Sequence, residues 1–175
     1  MAYEERNEEE LAAARRRVCD VFDALGIPYE VFIHPPIFSA AERADKQVVV
    51  DGLICKNLFL RNKEKSNYYL FTLPIDKRAD LIALQKALGE TRLSFGDADT
   101  LWEMLHIHPG SVSLLNITDA KKIPPLKFLV DAEVLKETRI GVHPNDNAAT
   151  IVFPPDRLPD IFAHYKADFE FISLE

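Results

Sequence analysis

The chain is short of the features that announce most familiar sites. It has only two cysteines in 175 residues, Cys19 and Cys55. Two thiols with neither CxxC spacing nor a zinc-finger pattern cannot build a disulfide framework, so both read as reduced core residues. There is no GxGxxG stretch and no Walker loop, which removes nucleotide-cofactor readings. There is no GxSxG elbow to support a Ser-His-Asp hydrolase. Metal chemistry has one candidate, His106-x-His108 joined by His143 or His34, but no HExxH or HxE pattern backs it. Positions i and i+2 also diverge on a helix, so neither a metal nor any other cofactor is expected. No stretch approaches the roughly 18 consecutive apolar residues of a membrane span, and "MAYEERNEEELAAARRR" is charged where a signal peptide needs an apolar segment. The expectation is a cytoplasmic protein with no membrane partner.

Basic charge is also lacking: 21 Lys and Arg stand against 28 Asp and Glu, a net charge of -7. A protein that holds nucleic acid mainly through phosphates shows a basic face or domain, so DNA is not an expected partner. A grip on the end of an RNA alone remains open. Arg15-Arg16-Arg17 and Lys121-Lys122 read as small solvated clusters, with RNA phosphate contact as the alternative.

What is present suits one core. Nearly half the residues are apolar, and there is no repeat, low-complexity tract or Gly/Ser linker, so residues 1–175 read as a single domain. Leu11, Val18, Phe22 and Leu25 share one face of a helix over 4–25, stopped by Gly26 and Pro28. "YEVFIH" reads as a strand, and "SAAE" offers Ser39 and Glu42 as a capping box. "CKNLFLRN" and "NYYLFTL" form an antiparallel hairpin across the polar "KEKS". "DKRADLIALQKALG" and "DADTLWEMLHI" are helices. "SVSLLNIT", "KFLVDAEV", "TRIGVHP", "ATIVFP" and "FEFISL" are strand candidates, with "PPDRLPDIFAHY" a helix whose prolines sit in its first turn. Strands in succession with grouped helices predict an α+β fold with a mixed, mostly antiparallel sheet.

Three places could carry chemistry. In "LICKNLFLRN" Lys56 shares its strand face with Ile54, Leu58 and Leu60, whereas Asn57 points the other way with Cys55 and Phe59. A lysine among aliphatics either snorkels to water or meets a ligand, and the pair can serve one ligand together only if the strand starts or bulges here. "GVHPNDNAATIVF" crowds His143, Asn145, Asp146 and Asn147 between apolar runs; this is a turn, or a turn whose histidine walls a pocket. "HPGSVSLLN" places Pro109, Gly110 and Ser111 between helix and strand, where consecutive N–H groups can bind an oxygen or simply make the turn.

Together, "HPPIFSAAE", "GLICKNLFLRN", the "HPGSVSLLN" loop and "GVHPNDNAATIVF", in this order, resemble the YbaK/prolyl-tRNA synthetase-associated editing domain family, and most closely its free-standing deacylases that hydrolyse Ala-tRNA(Pro). The resemblance implies a partly barrel-like sheet flanked by helices. Lys56 is similar to the family's essential lysine, and Asn57 to the asparagine beside it in the alanine editors. Gly110, with Pro109 and Ser111, matches the loop that presents backbone groups to the substrate. His143 matches the histidine that shapes the aminoacyl pocket, with His34 and Asn145 as further binding candidates. Ser39 departs from the family's usual threonine. The implied partners are the 3' end of an aminoacyl-tRNA, tRNA(Pro), and prolyl-tRNA synthetase transiently. The implied activity is ester hydrolysis, and the competing class is a non-catalytic module that binds aminoacyl-tRNA or an amino acid.

Overall fold

The computed structural model describes residues 8–37, Arg43, 50–107, 111–119 and 125–174. Helix α1 (Glu8–Ala24) opens with three glutamates in its first turn, the end where anionic side chains are favoured, and buries Ala14, Val18 and Phe22. Three further helices are described: α2 (Leu81–Leu88), α3 (Ala98–Leu105) and α4 (Leu158–His164). Among the described residues there are eight strands: β1 (Glu30–Ile33), β2 (Leu53–Arg61), β3 (Tyr68–Pro74), β4 (Ser94–Phe95), β5 (Leu126–Asp131), β6 (Ile140–Val142), β7 (Ala149–Phe153) and β8 (Asp168–Ile172).

They form one open, mixed sheet in the order β1-β7-β6-β2-β3-β5-β8, with β4 paired to β2 off this path. The expected α+β class holds. Antiparallel pairings join β1 to β7, β6 to β7, and β2 to both β3 and β4, whereas β2–β6, β3–β5 and β5–β8 are parallel. The β2–β3 hairpin is as expected, with an unbroken register from Cys55↔Pro74 to Arg61↔Tyr68.

The sheet is covered on both faces, and strand alternation sorts the residues. On the first face α1 and α4 bring Val18, Phe22, Ile161 and Phe162 against Cys55, Phe59, Leu70, Phe128, Val130, Ile151 and Phe153. On the second, Leu84 of α2 meets Leu60, Phe71, Leu73 and Leu129.

Three boundaries differ from expectation, each through a polar side chain. "SVSLLNIT" is not a strand: a 3₁₀ turn (Leu114–Asp119) stands there. Asn116 Oδ1 accepts from the Ser113 N–H (2.6 Å) and Ser113 Oγ from the Leu115 N–H, replacing ladder partners while neighbouring Leu114 and Leu115 are both buried. "KFLVDAEV" leaves the sheet at Asp131, whose carboxylate accepts from the Glu133 N–H and starts another 3₁₀ turn (Ala132–Lys136). The helix expected from Asp76 begins only at Leu81, because Asp80 caps it through the Ala83 N–H. It ends as expected at Gly89, whose φ of 62° is the left-handed conformation that closes a helix. His106 does the same for α3 at φ 53°, so its backbone serves as a cap. The Ser39 capping box and Lys121-Lys122 lie outside the described residues. Among those described, no helix is long and apolar enough to cross a membrane.

Candidate functional site

The strand register decides which candidates can meet. β2 and β6 pair in parallel through Leu53↔Ile140 and Ile54↔Gly141. Ladder partners project to the same face. Lys56, two residues beyond Ile54, and His143, two beyond Gly141, therefore extend toward one face, the second. Thr150 of β7 belongs there too: a Cβ added to Gly141 would lie 2.8 Å from Ile54 Cδ1 and 3.0 Å from Thr150 Cγ2. The missing side chain at Gly141 is what lets Ile54 and Thr150 close over the strand.

Thr150 is fully buried and anchors a directional chain of hydrogen bonds. Arg43 Nη2 donates to Thr150 Oγ1 (2.8 Å), which lies 2.8 Å from His34 Nε2. His34 Nδ1 lies 2.9 Å from the Pro35 carbonyl, which can only accept, so Nδ1 carries a proton. In the neutral ring Nε2 is then an acceptor for the Thr150 hydroxyl.

The His143 ring lies 6.3 Å from that of His34. Its Nδ1 is 2.9 Å from the Ala149 carbonyl, which fixes the Nδ1–H tautomer and leaves a lone pair on Nε2. Burial pushes the His143 pKa down, and Arg43 adds to this, against the hydrogen bond to Ala149; the ring is neutral at physiological pH.

Lys56 is half-buried, and its ammonium has no hydrogen bond or ion pair among the described residues. Lys77 shows the contrast. It is tied to the buried Asp131 carboxylate (2.7 Å) and to Glu133 (3.3 Å), and it lines a hollow of about 70 Å³ with Leu73 and Asp131. Of these two lysines, Lys56 is the one with charge left for a ligand.

Asn57 faces the other way, and a shared ligand for the two residues through an irregular strand does not hold: the register with β3 passes through both without a bulge. Asn57 Oδ1 accepts from Thr72 Oγ1 (2.7 Å) and from the Leu114 N–H (3.1 Å). Ser113 Oγ in turn donates to the His143 carbonyl (2.7 Å). The segment entering the 3₁₀ turn is thus tied at one point to β2 and at the next to the end of β6, where those strands part. Ser111 lies at the start of this segment, half-buried; Pro109 and Gly110 lie outside the described residues.

The Asx-rich stretch is a turn, but a buried one. Asn145, at φ 61°, donates to the Leu115 carbonyl (2.9 Å) and accepts from Asn116 Nδ2 (2.6 Å). Asp146 is 3% exposed; it accepts from the Ala148 N–H and pairs with Arg15 of α1. Arg15 is therefore not simply part of a solvated cluster. The Asn147 carbonyl accepts from the Ile37 N–H (3.0 Å). This turn joins α1, the 3₁₀ turn and the 34–37 segment behind His143. Among the described residues no three His, Cys, Asp or Glu side chains are grouped to hold a metal ion. Arg43 and Thr150 carried no signal in the sequence: an arginine in "AERAD" looks solvated, and a threonine in "ATIVF" looks like an ordinary strand residue.

A model of the aminoacyl-tRNA editing domain matches residues 34–161, a span that includes every element of this site except Arg15, and the chain belongs to this family. Among individual proteins, it is 30% identical over 161 residues to the prolyl-tRNA editing protein ProX of Acetoanaerobium sticklandii, covering 92% of this chain and 98% of that one. It is 33% identical over 138 residues to the prolyl-tRNA synthetase associated domain-containing protein 1 of Mus musculus, covering 76% and 80%. A solved structure described as a candidate trans-editing enzyme for prolyl-tRNA synthetase superposes with a TM-score of 0.65 at 20% identity, over 90% of this chain and 95% of that one, and shows the shared fold.

Proposed function

We propose that this protein is a trans-editing deacylase that hydrolyses the ester of mischarged aminoacyl-tRNA, Ala-tRNA(Pro) in particular. The observation that carries the reading is the shared sheet face, by the β2–β6 register, of Lys56, which has no partner among the described residues, and a neutral His143. Membership of the editing family and the likeness to ProX support it.

The chemistry asks little of the protein. The scissile bond is an activated ester, so placing water against the carbonyl and stabilising the oxyanion suffices. Lys56 holds the 3'-terminal phosphate or other polar groups of the substrate end. The Gly110 and Ser111 amides take the carbonyl oxygen, and the 2'-hydroxyl of the terminal adenosine orients the water. His143 walls the aminoacyl group, and its Nε2 lone pair accepts from the substrate's amine. Asn57 acts from behind, by holding the loop that carries Ser111. Alanine is smaller than proline, so a prolyl-tRNA synthetase cannot exclude it sterically, and a second pocket that admits only the smaller residue corrects the error.

Turnover separates this from a binding module. Purified protein at a small molar fraction of Ala-tRNA(Pro) should release all the alanine while leaving Pro-tRNA(Pro) intact; alanine release no faster than the spontaneous rate would make the chain a binder.

A further inference from the structure

The site's charge is not exhausted by Lys56. Arg43 is 9% exposed, and its guanidinium stays charged at neutral pH. One arm is spent: Nη2 donates to Thr150 Oγ1 at 2.8 Å. The other, Nη1, is buried with no hydrogen-bond partner. A buried donor left unpaired on a charged group is costly, and such groups are retained where something meets them. The neighbourhood says what. Arg43 acts electrostatically on His143, and the Arg43 guanidinium and the His34 ring are both joined to Thr150, so the unpaired N–H belongs to the same group of side chains as the two histidines. No carboxylate of the described residues pairs with it. The missing partner is an oxygen carrying negative charge.

We propose that Arg43 is a further catalytic residue, whose Nη1–H takes the ester carbonyl oxygen of the substrate, shares the developing oxyanion with the loop amides, and then holds the carboxylate of the released amino acid. This rests on the deacylase reading above. Ester attack puts negative charge on that oxygen in the transition state, and cleavage leaves it in a full carboxylate. A guanidinium held by Thr150 is pre-aimed for both, and binds the charged states more strongly than the neutral ester. Thr150 and, through it, His34 are positioning residues for Arg43.

Two measurements test this, on the full chain. In single-turnover deacylation of Ala-tRNA(Pro), Arg43→Met should lower the rate at saturation by about 100-fold, the usual effect of losing one oxyanion donor, with little change in half-saturating concentration. Millimolar guanidinium should restore part of the rate, and Arg43→Lys should lie between the two. An active wild type matched by Arg43→Met, or a loss that guanidinium leaves unmoved and that follows the loss of folded protein, overturns the role. The second measurement needs no turnover: calorimetric binding of free L-alanine against L-alaninamide. The wild type should prefer the carboxylate, and Arg43→Met should lose that preference. No preference in the wild type overturns the inference. A preference that depends on Arg43 in a protein that does not deacylate would keep the anion site and reject the deacylase reading.

Discussion

Asn57 offers the sharpest test of how the loop is held. Its Oδ1 accepts two hydrogen bonds, from the hydroxyl of the fully buried Thr72 and from the Leu114 N–H. Asn57→Leu keeps the volume but leaves both donors unpaired, at about 1–2 kcal/mol each, so a loss of about 2–4 kcal/mol is expected. For a chain of this length that corresponds to roughly 5–12 °C in Tm. The origin of the loss can be isolated by a double-mutant cycle in urea unfolding with Thr72→Val, which removes the orphaned hydroxyl. The pair Asn57→Leu/Thr72→Val should be more stable than the sum of the single losses predicts, by about 1–2 kcal/mol. Deacylation should fall in both Asn57 variants, because the Leu114 amide stays unanchored in each. Additivity within about 0.3 kcal/mol, or full activity in Asn57→Leu, would refute the reasoning.

Three further outcomes follow from the same geometry. Arg15→Met strands the Asp146 carboxylate, 3% exposed, with the Ala148 N–H as its remaining donor in the turn; a loss of about 3 kcal/mol is expected, and adding Asp146→Asn should recover part of it in chemical denaturation. Gly141→Ala drives a methyl against Ile54 Cδ1 and Thr150 Cγ2, costing about 1–3 kcal/mol, and Ile54→Val, which removes that Cδ1, should relieve the loss. Acid should lower the stability of the protein over two pH windows. His143, depressed in the fold below its ordinary 6.5, contributes stability that is full above that value and declines as pH falls below it. Glu90 is raised by burial but more strongly lowered by hydrogen bonds from Tyr69, the Thr91 N–H, Asn67 and Asn62, which hold it at about 2; its contribution is lost as pH falls from its ordinary 4.5 toward that value. His143→Gln should flatten the upper window in a pH series of urea midpoints and leave the lower one unchanged.

The sequence shows its fold where the pattern is strong and local. The α1 stripe and the alternation in the β2–β3 hairpin are of this kind, and so is the opposition of Lys56 and Asn57 across the sheet. It misleads where side chains replace backbone partners. "SVSLLNIT" has a strand's apolar content, but Ser113 and Asn116 bond the local backbone and turn it into a 3₁₀ segment. At the site, Lys56 and His143 stand out as polar residues in apolar runs. Arg43 and Thr150 do not, because their meaning comes from the β1–β7–β6 register, which joins segments more than a hundred residues apart. The role of Asn57 is hidden for the same reason: its partner Leu114 is 57 residues away.

The central claim is that Lys56 anchors the ester substrate, and one assay bears on it directly. Mischarged Ala-tRNA(Pro) is incubated with wild type and with Lys56→Ala, whose folding is first checked by its unfolding midpoint. Lys56 has no protein partner among the described residues, so the variant should keep the wild-type midpoint and lose most of its alanine release. Equal rates of alanine release from the two proteins would remove Lys56 from the mechanism.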